Sequence, residues 1–434
     1  GQMLFNSLTF LIFLALVLAV YHSPLPWRGK KAFLLGASYV FYAAWNPPFV
    51  ILIWISTGVD WFVARALGRT GSPGYRKILL LLSLSTNLGL LGFFKYGDFL
   101  LENFIQAAAV LGIHFSPVDP GIVLPVGISF YTFQTLSYTI DVYRGVLRPW
   151  PSFLDFALFV TFFPQLVAGP IVRARDFLPQ LVRERRAEGH QFAWGLVLLT
   201  LGLFEKIVLA DAWMAPIADG VFNAAAQQGL LASWTGTLAF SAQIFFDFAG
   251  YSTCAIGIAL TMGFALPDNF RAPYAAMGFS DFWRRWHISL SSWLRDYLYI
   301  PLGGNRKGVR RTYLNLMITM LLGGLWHGAS WRFAAWGGLH GLYLAAERWL
   351  RGLRFFRGLP EFRIAGLALG ALTYGLVLIT WVFFRAQTFQ DAWLLLQSMS
   401  GLRDTGTQFS GSSFLLVAVV TVGMLCAHAS LRKR

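Results

Sequence analysis

The sequence predicts an all-α polytopic membrane protein with about eleven membrane-spanning helices and further re-entrant helices. Three observations predict it. Of 434 residues, 56% are hydrophobic and 13% charged, and the mean hydropathy is +0.57, whereas soluble domains carry about 25% charged residues. The apolar residues gather in runs of roughly 17–25, the length that crosses a hydrocarbon core as a helix. Lysines and arginines sit in short clusters between the runs, and one threading places every cluster on the same side, as the positive-inside bias requires. Aromatics make up 17% of the chain, including 17 tryptophans, which suits rings placed at membrane interfaces.

Taken in order, Leu4–His22 is the first span, ending before Arg28, Lys30 and Lys31. Ala32–Trp45 leads outward to a turn at Pro47-Pro48. Phe49–Leu67 returns to a loop with Arg69, Arg76 and Lys77. Ile78–Phe94 goes out, Asp98–Gly112 reads as an interfacial helix, and Ile122–Val142 comes back to Arg144 and Arg148. Phe153–Ala168 is apolar but basic on both flanks and interrupted by Pro164, with Pro170 just beyond it. A broken or re-entrant helix satisfies both facts, because irregular backbone survives at membrane depth only where protein or a wet cavity shields it. Phe192–Ala210 crosses outward and Trp234–Met262 inward. Pro267–Arg311 is basic and aromatic, so it belongs to the cytoplasmic side and dips into the membrane. Thr312–Trp326, Trp331–Ala346, Ile364–Phe384 and Phe414–Ala429 complete the set. The most basic loop, from Arg348 to Arg363, and the terminal Arg432-Lys433-Arg434 both fall inside. The N-terminus is therefore expected outside and the C-terminus in the cytoplasm. No transporter-like repeat and no Gly/Ser-rich linker is visible, so residues 1–434 read as one membrane domain.

A net charge of +15 could suggest nucleic acid, but no basic face on a soluble domain exists to carry it. Cys254 and Cys426, the two cysteines, lie in apolar runs and read as small hydrophobes; a metal site or disulfide framework would need more cysteines or a recognisable spacing. The first apolar run has no small-residue cleavage site and is expected to span. Gly1 and Gln2, ahead of Met3, are set aside from the fold reasoning.

Polar groups inside a bilayer are expensive and usually functional. Gln243, Asp247 and Tyr251 share one face of the Trp234–Met262 helix; Asp247 faces a polar cavity or a cation, unless it only joins two helices. Between apolar runs, residues 281–328 hold Arg284, Arg285, Trp286, His287, Arg295 and Asp296, and close on Trp326 and His327 in Gly-Gly-Leu-Trp-His-Gly. Either histidine alone could be a helix–helix hydrogen bond. Glycines 323, 324 and 328 allow close backbone approach beside His327, and dense Arg and Trp surround His287. A neutral imidazole can take a proton from a hydroxyl, the task acyl transfer to an alcohol requires. His340 reads equally well as packing. Ser289, Ser291 and Ser292 follow His287 without the G-x-S-x-G elbow of a serine nucleophile. Gly303-Gly304-Asn305-Arg306-Lys307-Gly308 lacks P-loop spacing; it is a turn, or a cationic cradle for donor phosphates.

FWRRWHISLSSWLRDYLYIPLGGNRKG and LLGGLWHG resemble the membrane-bound O-acyltransferase family, within it the branch of alginate O-acetyltransferase membrane subunits and teichoic-acid D-alanyl transferases. LPVGISFYTFQTLSYTIDVYRG (124–145), FFPQLVAGPIVR (162–173) and QIFFDFAGYS (243–252) are similar to the same family. The resemblance covers nearly the whole chain. It implies a ring of helices with a central tunnel, His327 as the catalytic histidine, and His287 at a place where the family has a second histidine or an asparagine. One departure is visible: the family's Ser-Gly-Tyr-Ser-Asp reads here Ala249-Gly250-Tyr251-Ser252-Thr253, without the carboxylate.

The chemistry then expected is O-acetyl transfer across the bacterial inner membrane. The donor is acetyl-CoA or another acyl thioester from the cytoplasm, with no resident cofactor. His327 acts as base, with oxyanion donors from His287, Trp286 or Trp326. Arg284, Arg285, Arg306 and Lys307 meet the donor's phosphates, and Asp247, Arg295 and Asp296 complete the substrate-binding set. Membrane lipid and an extracytoplasmic acetyltransferase- or hydrolase-like protein are the expected partners. D-alanyl or peptidoglycan acyl transfer, a transporter or flippase, and an assembly scaffold are the rival readings.

Overall fold

In a computed structural model the described residues are 3–114, 116–117, 121–353, 363–403, 405 and 410–432. Gly1, Gln2, Arg354, Arg357, Lys433 and Arg434 lie outside them, so part of the most basic loop and of the cationic terminus is not described. The described residues are helical with no strand. They form two compact units, one of Gly1–Thr200 with Ser252–Pro267, the other of Leu201–Tyr251 with Asp268–Arg434.

The first unit contains α1 (Leu8–Tyr21), α2 (Trp27–Ala43), α3 (Val50–Arg69), α4 (Pro73–Val110), α5 (Ile128–Tyr143), α6 (Phe153–Thr161), α7 (Phe163–Leu166) and α8 (Ala174–Phe177). α9 (Gly189–Phe204) follows. Three local signals are strong. Ser7, Ser72 and Ser152 cap α1, α4 and α6 through their hydroxyls, satisfying amides that a helix start leaves without partners. Pro73 stands at the first position of α4, where a missing N–H costs nothing. Gly127 precedes α5 with φ +75°, and a Cβ there would lie 2.6 Å from Leu166 O.

The expected break in Phe153–Ala168 is present. The helix ends at Phe162 and restarts with Pro164 in the first turn of α7. Residues 156–166 are buried, the shielding a broken helix needs in lipid. Two expectations change. Ile78–Phe94 and Asp98–Gly112 are one helix, the 38-residue α4. Its length is roughly 57 Å at 1.5 Å per residue. Lys95 stays inside the helix and donates to Ser129 Oγ at 2.7 Å; Gly97 alone does not break a helix. The basic triplet before the second span is likewise helical. Lys30, 1% exposed, pairs with Glu184 at 2.8 Å, and Lys31 with Asp155 at 2.5 Å. The polar core of this unit is Asp60 of α3, fully buried and bonded by Asn87 of α4 at 2.8 Å, by Thr139 of α5 at 3.0 Å and by Ser83. One carboxyl thus ties three helices together.

The second unit begins with a π-helical stretch, Glu205–Met214, leading into α10 (Ala215–Phe222). Pro216 in the first turn of α10 lacks the N–H for an α-helical ladder, and a wider turn upstream accommodates it. Then come α11 (Leu230–Thr261), α12 (Phe279–Trp283), α13 (Ile288–Leu294), α14 (Val309–His327), α15 (Trp331–Gly352), α16 (Arg363–Arg385), α17 (Phe389–Met399) and α18 (Gly411–Leu431). α17 was not foreseen: its 11 residues are too few to span. Thr388 marks it, accepting from Asp391 N at 3.0 Å and donating to that carboxylate at 2.7 Å.

Six helices among the described residues are long and apolar enough to cross a membrane. The chain is a multi-pass membrane protein.

Candidate active site

The second unit brings His287 and His327 together through three devices. The first is a backbone clamp before α13. Asn269 O accepts Ile288 N at 2.9 Å, and Asn269 Oδ1 accepts Ser289 N at 3.3 Å and Ser289 Oγ at 2.9 Å. Arg271 N donates to Arg285 O at 2.9 Å. Between these ties His287 takes φ +43°, ψ +56°, the left-handed region that side chains other than glycine seldom occupy. The second device holds α12. Glu347 Oε2 accepts Phe279 N at 2.6 Å and Ser280 N at 3.0 Å, a carboxylate capping a helix start. Asp281 accepts Met277 N at 2.9 Å and Arg285 Nε at 2.9 Å.

The third device is the α14–α15 hairpin. A Cβ on Gly324 would lie 2.2 Å from Phe333 O, and one on Gly337 2.2 Å from Met320 O. No side chain fits at either place, so the helices run backbone to backbone. His327 is the last residue of α14, and the turn at Gly328 brings α15 back beside it. Gly328 itself lies against the Phe333 ring, 2.3 Å from a hypothetical Cβ.

The resulting pocket is aromatic. His287 is fully buried, with Phe248 edge-on at 4.6 Å and Trp326 at 5.6 Å. The two imidazole centroids are 6.1 Å apart. His327 is partly exposed and is ringed by Trp326 at 5.2 Å, Trp336 at 5.0 Å and Phe384 at 5.4 Å. Neither nitrogen of His287 has a hydrogen-bond partner among the described residues. Burial pushes its imidazolium well below the usual histidine range, and His327 pushes the same way, so His287 is a neutral ring. A partly exposed imidazole, its Nε2 enclosed, lies beside a buried neutral one among aromatics; a neutral imidazole can accept a proton from a hydroxyl in a site of low dielectric.

The other sequence-derived residues are distributed around this pair. Trp326 lies beside both histidines, 5.6 Å from His287 and 5.2 Å from His327. Trp286 belongs to an aromatic stack, 5.7 Å from Phe282 and 5.0 Å from Trp381. Arg284 is exposed, whereas Arg285 is engaged by Asp281 and donates to Arg271 O at 3.2 Å. Asp247 meets a cation, Lys206, at 2.6 Å, and Lys206 also holds Asp211 at 2.9 Å. Arg295 pairs with the adjacent Asp296 at 2.7 Å. Arg306 and Lys307 are exposed in a glycine-rich turn with positive φ at Gly303, Gly304 and Gly308. They precede α14 while His327 ends it, so about 28 Å of helix separates them from that histidine.

His340 is a packing residue. Trp283 Nε1 donates to its Nδ1 at 3.3 Å, which leaves Nε2–H to meet Thr380 Oγ1 at 3.1 Å. Trp336, Phe384 and Phe248 were missed from the sequence. The paired glycines at 323–324 and 337–338 were the available signal, because they set α15 against α14 and so set Trp336 against His327. No group of three or more His, Cys, Asp or Glu side chains among the described residues could hold a metal ion.

The two histidines thus lie together among aromatic rings in a helical membrane protein. Residues 128–387 match the family described as MBOAT, membrane-bound O-acyltransferase. The chain is 42% identical over 404 residues to the probable alginate O-acetylase AlgI of Azotobacter vinelandii, covering 93% of this chain and 79% of that protein. It is 39% identical over 399 residues to the peptidoglycan O-acetyltransferase of Helicobacter pylori, covering 86% and 74%. It is 30% identical over 269 residues to the teichoic acid D-alanyltransferase of Streptococcus thermophilus, covering 58% and 65%. The chain belongs to the membrane-bound O-acyltransferase family, and it is a membrane O-acyltransferase.

Proposed function

We propose that the protein moves an acetyl group from acetyl-CoA in the cytoplasm to a hydroxyl of an extracytoplasmic polysaccharide, directly or through a partner protein. The observation that carries this reading is the pairing of partly exposed His327 with buried His287 among aromatic rings. His327 is the general base on the acceptor hydroxyl, a role worth roughly 10²–10⁴-fold. His287 shapes the donor side of the pocket. The names of the alginate O-acetylases and of the peptidoglycan O-acetyltransferase support acetyl as the group and a polysaccharide as the acceptor.

The 28 Å of α14 gives the cations separate tasks. Arg306 and Lys307, with Arg310 and Arg311 in the first turn of α14, meet the phosphates of the donor at its cytoplasmic entry. Arg284 lies nearer the reaction centre in sequence and contacts the arm of the donor. Asp247, Arg295 and Asp296 line the approach. The protein acts as one domain over residues 1–434 in the bacterial inner membrane, with its N-terminus outside and its C-terminus in the cytoplasm. It requires no nucleic acid and no resident cofactor.

The test is radiolabelled acetyl-CoA supplied to membranes that hold the protein with its native acceptor. His327→Ala is expected to lower ester formation at least 100-fold. Undiminished transfer in that variant would overturn the assignment, and absence of label transfer by the unaltered protein would overturn acetyl-CoA as donor.

A further inference from the structure

We propose that the indole N–H of Trp336 is a catalytic hydrogen-bond donor, holding the acyl carbonyl oxygen as it becomes an oxyanion beside His327. The inference rests on the acyl-transfer reading above and adds a residue to it. Trp336 is 1% exposed, and its Nε1 is enclosed with no acceptor among the described residues. Buried indole N–H groups almost always have a partner. Trp45 and Trp381 share this state among the described residues, but Trp336 packs on His327, where an acceptor arriving with the substrate accounts for its N–H.

Its surroundings narrow the alternatives. Trp336 is stacked on Trp381 at 5.9 Å and touches the edges of Trp283 at 5.7 Å and Phe384 at 5.4 Å, none of which offers an oxygen or a lone pair in the plane. His340, at 4.9 Å, has both nitrogens taken by Trp283 and Thr380. The remaining ring contact is His327, 5.0 Å away with the rings at 83°. In this proposal the carbonyl attacked at His327 is the acceptor that meets this indole. The backbone contact at Gly324 and Gly337 holds the two rings at that spacing, the preorganisation an oxyanion site needs.

The step is as follows. The acceptor oxygen bonds to the thioester carbonyl carbon while its proton passes to the His327 imidazole. The carbonyl π pair moves onto oxygen, and that oxyanion accepts the Trp336 N–H. When the C–O double bond re-forms, the C–S bond breaks, and the leaving thiolate takes the proton back from His327. Ester and free thiol are the products, and no other reactant is consumed. Trp286 and Trp326, the indoles picked from sequence, adjoin their histidines in the chain; Trp336 reaches His327 only through the fold.

The experiment uses the full chain in membranes with its native acceptor and radiolabelled acetyl-CoA. Trp336→Phe keeps an aromatic plane and removes the N–H. It is expected to lower kcat about 100- to 1000-fold, as loss of one oxyanion donor does elsewhere, with KM for acetyl-CoA changed less than twofold. Because a smaller ring could loosen the stack, the second variant places β-(3-benzothienyl)alanine at 336, an isostere that keeps the shape and lacks the N–H. The same kcat loss in the isostere is expected. A kcat within threefold of the unaltered protein in either variant, or a loss carried by KM, would overturn the proposal while leaving acetyl transfer standing.

Discussion

His287 combines two costs, a left-handed backbone and a buried ring whose nitrogens have no described hydrogen-bond partner. A sparsely populated φ/ψ pair costs on the order of 1–3 kcal/mol and persists only where its surroundings impose it. Here the ties from Asn269 and Arg271 impose it. The ring also links stability to pH. Its folded value is depressed, so the unfolded chain binds the proton more tightly. The stabilising difference is intact above about pH 6.5, the usual histidine value, and is lost as pH falls below it. His287→Gln, which cannot titrate, is expected to flatten the fall in thermal midpoint of the detergent-solubilised protein between pH 7 and pH 5. An unchanged slope would contradict burial of a neutral imidazole. Histidine 287 itself was legible in the sequence as a polar residue among aromatics. Its backbone was not, because nothing in FWRRWHISL marks a left-handed residue; Asn269 and Arg271, outside that stretch, enforce it.

Among the elements, the α14–α15 hairpin carries the clearest energetic statement. The two backbones leave 2.2 Å for a Cβ at Gly324 and at Gly337, far inside a van der Waals contact, and the obstructing atoms are carbonyl oxygens that cannot swing away. Gly324→Ala or Gly337→Ala is expected to destabilise by at least 1–3 kcal/mol, roughly the penalty of overpacking, and to lower transfer by displacing His327 from Trp336. Gly375→Ala, with open space around it, is expected to leave both unchanged. Thermal melts and transfer rates on the three variants decide the matter. Helix existence was mostly readable from apolar runs, since hydrocarbon length sets it. Helix ends were less so. The charges at Lys30 and Lys31 look like boundaries in sequence, yet the structure pairs them inside a helix. α17 escaped because the search was for spans and it is an 11-residue cap-started helix.

At the scale of the whole molecule, composition and charge clustering gave the class directly. Low charge over so long a chain has few solutions other than a helical membrane protein. What they could not give was which aromatic residues meet. Trp326 was found because it adjoins His327, but Trp336, Phe384 and Phe248 reach the histidines from other helices. The number and direction of crossings remain tied to the charge threading, which makes a definite prediction. Reporter fusions after Arg148, Arg186 and Arg351 are expected to report cytoplasm, and fusions after Pro47 and Gln227 the opposite side. An alkaline-phosphatase signal from any of the first three would break the threading.

The left-handed backbone at residue 287 also has an evolutionary consequence. That conformation admits glycine freely, asparagine, aspartate and histidine with moderate ease, and β-branched or bulky residues hardly at all. A lineage drifting away from histidine there has few exits, and among polar groups able to hydrogen-bond without a charge the exit is asparagine. One turn of backbone, held by Asn269, narrows the alphabet before catalysis selects from it.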